Sequence, residues 1–597
     1  MRQYLSKVLY VLSGQRRQLA EMMVVFVFVS VLEAFGIGLI GPFLSIASNP
    51  SIVREKPFLA SIVDSLGLIS DSQIVVVCAF LVIGVICFKS MAYFLCKVYI
   101  YRFSYHQKQR LEARLVNTYL NISYLFHLSR NSATLIKNLA FESIQFTANC
   151  MIPLLEIVAN ILVVILLLCL LAVTDLSLVV MALAILLPIF LLFARISRRI
   201  RGWGRIKSDA QGSMIRSINH GLGGLKETKV LGCEDYFEED LREHSKRFGD
   251  ASTLVDSFQL MPKVAIETVL VVFLILFMLI SQLVLGRSLE ELTAVMGVFA
   301  VASIRMIPAS SQILNAVGRM RAMSYALDML YRDLKEIEDY DLPDEIVALG
   351  ESTLSRTDSR KMSFQEDITL KDMTFFYPRT DEPALKNISL TIKKGESIAL
   401  VGKSGSGKTT LVDIILGLLQ PAAGDIAVDG QSVYTDLRQW QNLLGYIPQY
   451  IFLSDETIAQ NIAFGIPADH IDYERVMMAV KAAQLEDLVE QLPEGLETMV
   501  GERGMRISGG QRQRVGIARA IYYGREILVL DEATSALDSE TEKLVSDAID
   551  SLAGDKTLII IAHRMSTLEN CDHVYRLENG SIGQTGTYEE VVLAARG

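Results

Sequence analysis

Six apolar segments, followed by a glycine-rich loop at the end of an apolar run, predict an all-α transmembrane domain of six helices joined to an α/β domain of the P-loop NTPase class. Each segment approaches the roughly 20 residues that a helix needs to cross a bilayer, and all six precede about residue 315. Of the chain, 51% is hydrophobic and the mean hydropathy is +0.35, which indicates a protein partly embedded in a membrane.

The predicted spans lie at residues 22–46, 74–99, 147–173, 176–194, 262–285 and 292–313. Basic residues gather before the first span, after the second and after the fourth, so the positive-inside rule puts these loops and the C-terminal half in the cytoplasm. The cytoplasmic loops 101–146 and 200–259 have helical patterns, which predicts that the membrane helices continue well past the bilayer. We expect a transmembrane domain over 1–332, a linker over 333–366 and a nucleotide-binding domain over 367–597.

The formal net charge of −10 and the pI near 5.4 argue against nucleic acid as a partner, because neutralising phosphates needs a basic surface. The seven cysteines show no CxxC or metal-ligand spacing, and most lie in or beside apolar runs. We therefore expect the cysteines to be packing residues.

The most specific motif is the phosphate-binding loop Gly402, Lys403, Ser404, Gly405, Ser406, Gly407, Lys408 and Thr409, with Thr410 beside it. Glycines let backbone N–H groups surround phosphates, Lys408 reaches the β and γ oxygens, and the Thr409 hydroxyl is a ligand for Mg²⁺. A helix that begins there adds its dipole. The motif predicts ATP and Mg²⁺, and upstream Tyr377 offers a face for the adenine, with an ordinary strand aromatic as the alternative.

Two carboxylates end a later apolar strand in this half of the chain. Asp531 is suited to hold Mg²⁺, directly or through water, and Glu532 to polarise the attacking water. Gln449 is predicted to contact both the metal and the water. His563, which follows another apolar strand, is predicted to hydrogen-bond the γ-phosphate, although a histidine in that position is often structural.

The run Ile507, Ser508, Gly509, Gly510 and Gln511 resembles the signature motif of ABC transporters, with Ile in place of the usual Leu. Residues 500–503 and 535–538 resemble the loop before the signature and the D-loop, and the preceding spans resemble those of exporters. The resemblance implies that the phosphate loop of one subunit and the signature of another close on the same ATP. A homodimer is therefore expected, with a heterodimer as the alternative.

Two cytoplasmic segments, 121–131 and 225–238, resemble the coupling helices of exporters. Their aromatic residues, such as Tyr124 and Tyr236, are expected to dock near Gln449, and a solvated loop is the alternative. The resemblance implies that closure of two ATP-loaded domains moves these segments and switches the spans from inward-facing to outward-facing. A short amphipathic helix is also predicted outside the membrane at 57–67.

The ionisable residues inside the spans are the informative ones for cargo, because such groups usually face a cavity or a partner. Lys89, Lys263 and Arg305 fall in the cytoplasmic half of their spans and predict a cationic belt for a phosphate or pyrophosphate group. The alternatives are snorkelling of Lys263 to the interface and neutralisation of Arg305 by Glu156 or Glu267.

Residues 30–43, 261–263 and 304–308 resemble the flippases of lipid-linked oligosaccharides in bacterial N-glycosylation. That resemblance implies transfer of a polyprenyl-pyrophosphate glycan from the inner to the outer leaflet of the bacterial inner membrane, with the nucleotide-binding domain in the cytoplasm. The alternatives are a general lipid or multidrug exporter and an ATP-gated channel or regulator.

Overall fold

The computed structural model describes residues 2–11, 16–48, 50, 53, 70–174, 176–283, 289–338, 361–501, 504–532, 539–561 and 568–593. The chain divides into two compact units. The membrane unit consists of Met1–Ile122 and Arg130–Glu351, and the nucleotide unit of Ser123–Ser129 and Ser352–Gly597. The predicted outer helix at 57–67 lies outside the described residues.

In its described part the membrane unit is built from helices. These are α1 Arg2–Val11, α2 Arg16–Gly38, α3 Ile40–Ser48, α4 Asp71–Asn121, α6 Ser132–Lys137, α7 Ser143–Phe146, α8 Ile152–Thr174, α9 Leu176–Gly223, α10 Leu225–Leu231, α11 Glu234–Leu283, α12 Leu289–Ala322 and α13 Ser324–Glu338. Two π-helical turns, Asn138–Glu142 and Thr147–Met151, lie on either side of α7. Helix α13 continues to Glu338, into the segment predicted as a linker.

Three helical runs among the described residues are long and apolar enough to cross a bilayer, namely Arg17–Phe43, Asp71–Asn121 and Thr134–Val173. The other three predicted spans fall on α9, α11 and α12. Helices α4, α9 and α11 have 51, 48 and 50 residues. At about 1.5 Å per residue they are more than twice the ~30 Å of hydrocarbon, which confirms that these helices continue past the bilayer.

The interior of the membrane unit lies where α8, α9, α11 and α12 meet. Leu167 and Leu171 on α8, Ile266 on α11, and Ala302 and Ala309 on α12 are each 0% exposed. Small residues let neighbouring helices approach closely, which matters in lipid because helix association there depends on packing. Alanines on α12 therefore fit its central position.

A close helix crossing lies at the end of α12. A Cβ atom on Gly204 of α9 would lie 2.2 Å from the carbonyl oxygen of Ala322, the last residue of α12. Beyond this crossing α13 packs on α1, where Lys7 Nζ donates to Asp328 Oδ1 at 2.6 Å and the rings of Tyr10 and Tyr331 are 5.1 Å apart. Only glycine fits at position 204 without moving backbone.

The nucleotide unit contains ten described strands: β1 Asp367–Phe375, β2 Leu385–Lys393, β3 Ser397–Val401, β4 Ala423–Val428, β5 Gln431–Ser432, β6 Leu444–Ile447, β7 Ile527–Asp531, β8 Thr557–Ile561, β9 His573–Glu578 and β10 Ser581–Gly586. Its described α-helices are α5 Tyr124–Leu128, α14 Lys408–Ile415, α15 Leu437–Gln441, α16 Ile458–Ile462, α17 Tyr473–Ala482, α18 Glu486–Gln491, α19 Gly509–Tyr522 and α20 Ser539–Asp550. Short turns at Val433–Thr435, Ala468–His470, Gly495–Glu497 and Glu589–Leu593 complete it.

Two sheets organise the nucleotide unit. One has the order β2-β1-β4-β5 and is antiparallel, and the other has the order β10-β9-β3-β8-β7-β6. In the second sheet β9, β3, β8, β7 and β6 run parallel, and only β10 pairs antiparallel. All five residues of β3 and of β8 are buried, as expected for strands covered on both faces, which explains their continuous apolar sequences.

The first predicted coupling segment forms α5, which belongs to the nucleotide unit. Ser123 caps α5 by accepting from the Leu125 N–H, Leu125 packs against the core of the unit, and Phe126 is 1% exposed. The second predicted segment forms α10, where Leu225, Val230 and Leu231 are 48%, 79% and 75% exposed. The first segment therefore packs within the nucleotide unit, and its position near Gln449 stays a prediction. The apolar side chains of the second segment are uncovered in a single chain.

We expect Gly204→Ala to lower the thermal midpoint of the protein, because its Cβ would overlap the Ala322 carbonyl. Overpacking of this kind costs roughly 1–3 kcal/mol. Thermal unfolding in nanodiscs measures the effect, with Gly202→Ala as the matched control, since nothing lies within 4 Å of a Cβ there. Equal midpoints for both variants would contradict the close crossing.

Candidate functional site

The carboxyl ends of four parallel strands form one edge of the second sheet. The phosphate loop follows β3, Asp531 ends β7, Gln449 lies two residues beyond β6, and β8 lies between β3 and β7. Ligands of open α/β sheets bind at such an edge. The topology therefore explains how motifs far apart in sequence meet. His563 follows β8 but lies outside the described residues, as do 502–503 and 535–538.

The phosphate loop requires glycine at both of its ends. Gly402 and Gly407 have φ values of 153° and 103°, in the region that favours glycine. A Cβ on Gly402 would lie 2.4 Å from the Leu577 carbonyl oxygen, and one on Gly407 would lie 2.8 Å from Leu385 Cδ2. Helix α14 starts directly after Gly407, so its free N–H groups and dipole face the loop.

Lys408 turns back onto the phosphate loop. Its Nζ donates to the carbonyl oxygens of Gly402 at 2.8 Å and Lys403 at 3.1 Å. Burial lowers the pKa of this ammonium, while Glu532 and Asp531 raise it in opposition. Ser406 Oγ is buried and has no hydrogen-bond partner among the described residues. Within the described part of the chain, a cation bound to two carbonyl oxygens and an unpaired hydroxyl suit an incoming phosphate.

Gln449 and Glu532 are in direct contact: Gln449 Nε2 donates to Glu532 Oε2 at 2.9 Å. The Gln449 carbonyl in turn accepts from Gln513 Nε2 at 2.7 Å, which fixes the loop after β6. Glu532 has a φ of 49°, uncommon for a residue with a Cβ, and its N–H donates to the Ile561 carbonyl at 3.0 Å. Strain of this kind gathers at functional sites, and here it fixes the backbone that carries the carboxylate.

The predicted metal ligands are compatible with magnesium. Thr409, Gln449 and Asp531 offer a hydroxyl, an amide and a carboxylate oxygen near the sheet edge. Mg²⁺ prefers few protein ligands and completes its octahedron with waters and substrate phosphates. This donor set, next to a loop shaped for phosphate, fits a metal that arrives with a nucleotide.

The signature residues form the start of α19. Ser508 is its N-cap: Ser508 Oγ accepts from the Gln511 N–H at 3.3 Å, and the Gln511 side chain accepts from the Ser508 N–H at 2.8 Å. Ser508 and Gly509 are exposed, whereas Gly510 is buried. The start of a 14-residue helix carries partial positive charge and favours an anion.

Tyr377 lies beside the phosphate-loop helix. Its hydroxyl is 3.0 Å from Thr410 Oγ1, and its ring meets Phe375 edge-on with centroids 5.0 Å apart. The ring is half-buried. Adenine stacking on Tyr377 stays a prediction, next to the packing role that these contacts describe.

In the membrane unit, Lys89 and Arg305 converge on one buried carboxylate. Lys89 Nζ is 3.4 Å from Glu33 Oε1, and Arg305 Nη2 is 2.7 Å from Glu33 Oε2. The Arg305 guanidinium also lies 4.5 Å from the centroid of the Tyr93 ring. Lys263 is exposed and is not part of this cluster in the described contacts. The structure therefore brings two of the three predicted cations together.

A second cluster was not found from the sequence. Lys97 Nζ and Arg319 Nη2 donate to the two oxygens of Glu156 at 2.7 and 2.9 Å. Glu156 thus pairs with these residues, and the carboxylate of Arg305 is Glu33 rather than Glu156 or Glu267. The available signal was spacing, since Lys89 and Lys97 are eight residues apart on one face of α4.

Residues 385–535 match the family model described as ABC transporter. The chain is 32% identical over 494 residues to the ATP-dependent lipid A-core flippase of Ralstonia nicotianae, covering 81% of this chain and 79% of that protein. It is 31% identical over 580 residues to the ATP-dependent lipid A-core flippase of Thiobacillus denitrificans, covering 94% of each. A solved bacterial Atm1-family ABC exporter with ATP bound shares the fold, with a TM-score of 0.75, 20% identity and 97% coverage of both chains.

Asp413 on α14 makes the stability of the folded protein depend on pH. Burial, and to a smaller extent Asp531, raises the pKa of its carboxyl from 3.8 to about 6. Between these two values the folded chain binds the proton more tightly than the unfolded chain, so stability falls as pH rises through this window. Above pH 6 the folded state bears the whole cost of a charged Asp413.

We expect Asp413→Asn to raise the thermal midpoint of the nucleotide-free, full-length protein when measured well above pH 6, and to change it little near pH 4. Scanning fluorimetry across that range measures the difference between variant and wild type. Asp555→Asn, in an exposed turn of the same unit, is the control. A difference that is the same at every pH would contradict the assignment.

Proposed function

Because this chain belongs to the ABC transporter family and is a half-transporter of the exporter type, we propose that two copies of it use ATP to move a phosphate-bearing lipid from the inner to the outer leaflet of the bacterial inner membrane. The observation that carries the proposal is the pair of cations on Glu33. Two positive charges and one negative charge leave one positive charge in excess in this cluster. Hydrolysis of ATP at the nucleotide-binding residues supplies the energy.

The ATP site needs a second copy. One chain offers one phosphate loop and one exposed signature, at Ser508 and Gly509. The exposed apolar residues Val230 and Leu231 on α10 support the same proposal, because apolar side chains grouped on a helix end fit a surface that a partner covers. In the dimer the N–H groups of Ser508 and Gly510 would meet the γ-phosphate held by the other copy.

Hydrolysis requires positioning and charge more than covalent chemistry, because phosphoryl transfer passes through a loose transition state. Lys408 would exchange the carbonyls of its own loop for phosphate oxygens. Thr409, Gln449 and Asp531 would hold Mg²⁺, which would supply positive charge to those oxygens when bound. Glu532 would accept the proton of the attacking water, and Gln449, which already contacts that carboxylate, orients the pair.

Export rather than gating is supported by this arrangement. A regulator or channel gate needs nucleotide binding, whereas the Gln449–Glu532 contact suits turnover. ATP hydrolysis coupled to transport is also what the family membership establishes.

The membrane cluster suits a phosphate group. An unmatched charge is costly in hydrocarbon, so the second cation on Glu33 needs another anion to be neutralised. Arg305 Nε is buried and lacks a hydrogen-bond partner among the described residues. A guanidinium with a free donor is well shaped for phosphate. Lys263, exposed on α11, is proposed to extend the site toward the cytoplasmic entrance.

Two phosphate-bearing lipids share this chemistry. The sequence resemblance favours a polyprenyl-pyrophosphate oligosaccharide, and the relatives are named for lipid A-core. Both carry phosphate beside a glycan and a lipid tail. A multidrug exporter would instead favour a weakly charged, aromatic cavity, and the excess charge at Glu33 argues against it.

We expect Glu532→Gln to abolish most ATP turnover and to leave ATP binding intact, because a general base contributes about 10²–10⁴-fold to rate. Steady-state hydrolysis and nucleotide affinity are measured on the same protein in nanodiscs. Glu526→Gln is the matched control, since Glu526 pairs with Lys361 at the other end of β7. Wild-type turnover in Glu532→Gln would remove this residue from the chemistry.

Lys89→Ala and Arg305→Ala are each expected to weaken stimulation of the ATPase by phosphate-bearing lipid by about tenfold, since a charge-assisted hydrogen bond contributes ~1.5–3 kcal/mol. Glu33→Gln is expected to strengthen it, because the carboxylate no longer competes for both cations. Lys108→Ala on the same helix, where Lys108 pairs with Glu112, is the control.

The lipids are tested in separate arms: a polyprenyl-pyrophosphate oligosaccharide, lipid A-core, and a neutral diacylglycerol. Stimulation by one of the first two identifies the source of the phosphate. Equal responses of wild type, Lys89→Ala and Arg305→Ala in both phosphate arms would contradict the proposed site. ATP-dependent movement of the fluorescent lipid between leaflets completes the test.

A further inference from the structure

A buried carboxylate accepts hydrogen bonds from residues that precede and follow α5. Asp333 on α13 is 3% exposed. Its carboxylate accepts hydrogen bonds from the Tyr119 hydroxyl, from Arg130 Nη1 at 2.9 Å and from Asn138 Nδ2 at 3.1 Å. Three donors from three positions in the chain therefore meet at one acidic group, all within the membrane unit.

The three donors are distributed around α5. Tyr119 lies near the end of α4, shortly before α5 begins at Tyr124, and Arg130 follows two residues after α5 ends at Leu128. The segment between them, Ser123–Ser129, belongs to the nucleotide unit. The chain thus leaves the membrane unit and returns to it between two residues that are bound to the same carboxylate.

Helix α13 is itself a connection. It ends at Glu338, and the chain then continues through residues 339–360, outside the described part, to the first strand of the nucleotide unit. Asp333 lies in the last two turns of this helix. Both covalent routes between the units, through α5 and through α13, therefore pass next to Asp333.

We propose that Asp333 is a positioning residue for energy coupling, which makes α13 and the two flanks of α5 move as one body when ATP closes the nucleotide units. The Asp333 clamp, formed by Asp333, Tyr119, Arg130 and Asn138, passes that movement to α4 and toward α8. The inference rests on ATP-driven transport by this family and does not depend on which lipid is moved.

The chain after the clamp explains why one is needed. Asn138 begins the first of two π-helical turns that separate α6 from α8. Such turns are rare, are found at functional sites, and interrupt the regular hydrogen-bond ladder of the helix. Because the helix is interrupted at these turns, it transmits a movement of α5 poorly along the chain. The hydrogen bonds of Asp333 instead connect that movement directly to α4 and α13.

Helix α13 supplies its own control residue. Asp328 pairs with Lys7 on α1 at 2.6 Å and with Arg201 on α9 at 3.5 Å, and it has no contact with the flanks of α5 among the described interactions. Asp333→Asn and Asp328→Asn remove one charge each from the same helix. A merely structural role predicts similar effects for both, whereas the clamp predicts different ones.

The experiment compares both variants with wild type in nanodiscs, by ATP hydrolysis and by hydrogen–deuterium exchange with and without Mg-ATP and vanadate. In wild type and Asp328→Asn, vanadate trapping is expected to change exchange at the phosphate loop, at 101–121 and at 132–151. Asp333→Asn is expected to lose about threefold or more of the change at 101–121 and 132–151, with the loop response and the hydrolysis rate kept within about twofold.

Three results overturn the proposal. They are a wild-type response in Asp333→Asn, a parallel loss of hydrolysis and thermal stability in both variants, and no change at 101–121 in wild type. If Asp333→Asn does not fold, Tyr119→Phe decides, because it removes only one hydroxyl from the clamp. Tyr119→Phe then supports the clamp if exchange at the phosphate loop still changes while the change at 101–121 and 132–151 is reduced. It contradicts the clamp if both change as in wild type.

Discussion

Three carboxylates in the membrane unit are buried and are shared by partners from different parts of the chain. Glu33, Glu156 and Asp333 are 3%, 7% and 3% exposed. A buried charge is tolerated only when it is paired and hydrogen-bonded, so each carboxylate fixes the helices that supply its partners. Lipid gives little drive for helices to associate, so the ions shared at Glu33 and Glu156, inside the predicted spans, contribute to helix packing there.

In the nucleotide unit the charged groups of the site are arranged differently. Among the described residues, Lys408 Nζ donates to carbonyl oxygens of its own loop, where a phosphate can replace them. Two negative groups, Asp531 and Glu532, lie at the end of β7, which is separated from β3 by β8. In the membrane unit Glu33 and Glu156 each pair with two cations, whereas the nucleotide unit leaves its phosphate loop ready for a ligand that brings both phosphate and metal.

The sequence was sufficient wherever a motif is local. The phosphate loop, the strand before Asp531 and the length of α4 each depend on residues that are neighbours in the chain. Ion-pair partners on different helices cannot be predicted in this way, because helical spacing reveals which residues share a face but not which helix packs against it. The sequence offers Glu156 or Glu267 as alternative partners for Arg305 for that reason, and its partner is Glu33. Asp333 looked like part of an acidic linker until its donors, up to 214 positions away, were seen.

Helix α4 joins these features mechanically. It carries Lys89 and Lys97 of the two membrane clusters and Tyr119 of the Asp333 clamp. Helices α9, α11 and α12 each contain an internal proline, at positions 188, 262 and 308, whereas α4 has none in its 51 residues. Proline is the commonest cause of a sharp bend, so α4 is the long helix best suited to act as a rod. From Tyr119 to Lys89 it spans about 45 Å at 1.5 Å per residue. A rotation imposed at the clamp therefore reaches the cations on Glu33 without passing through a joint.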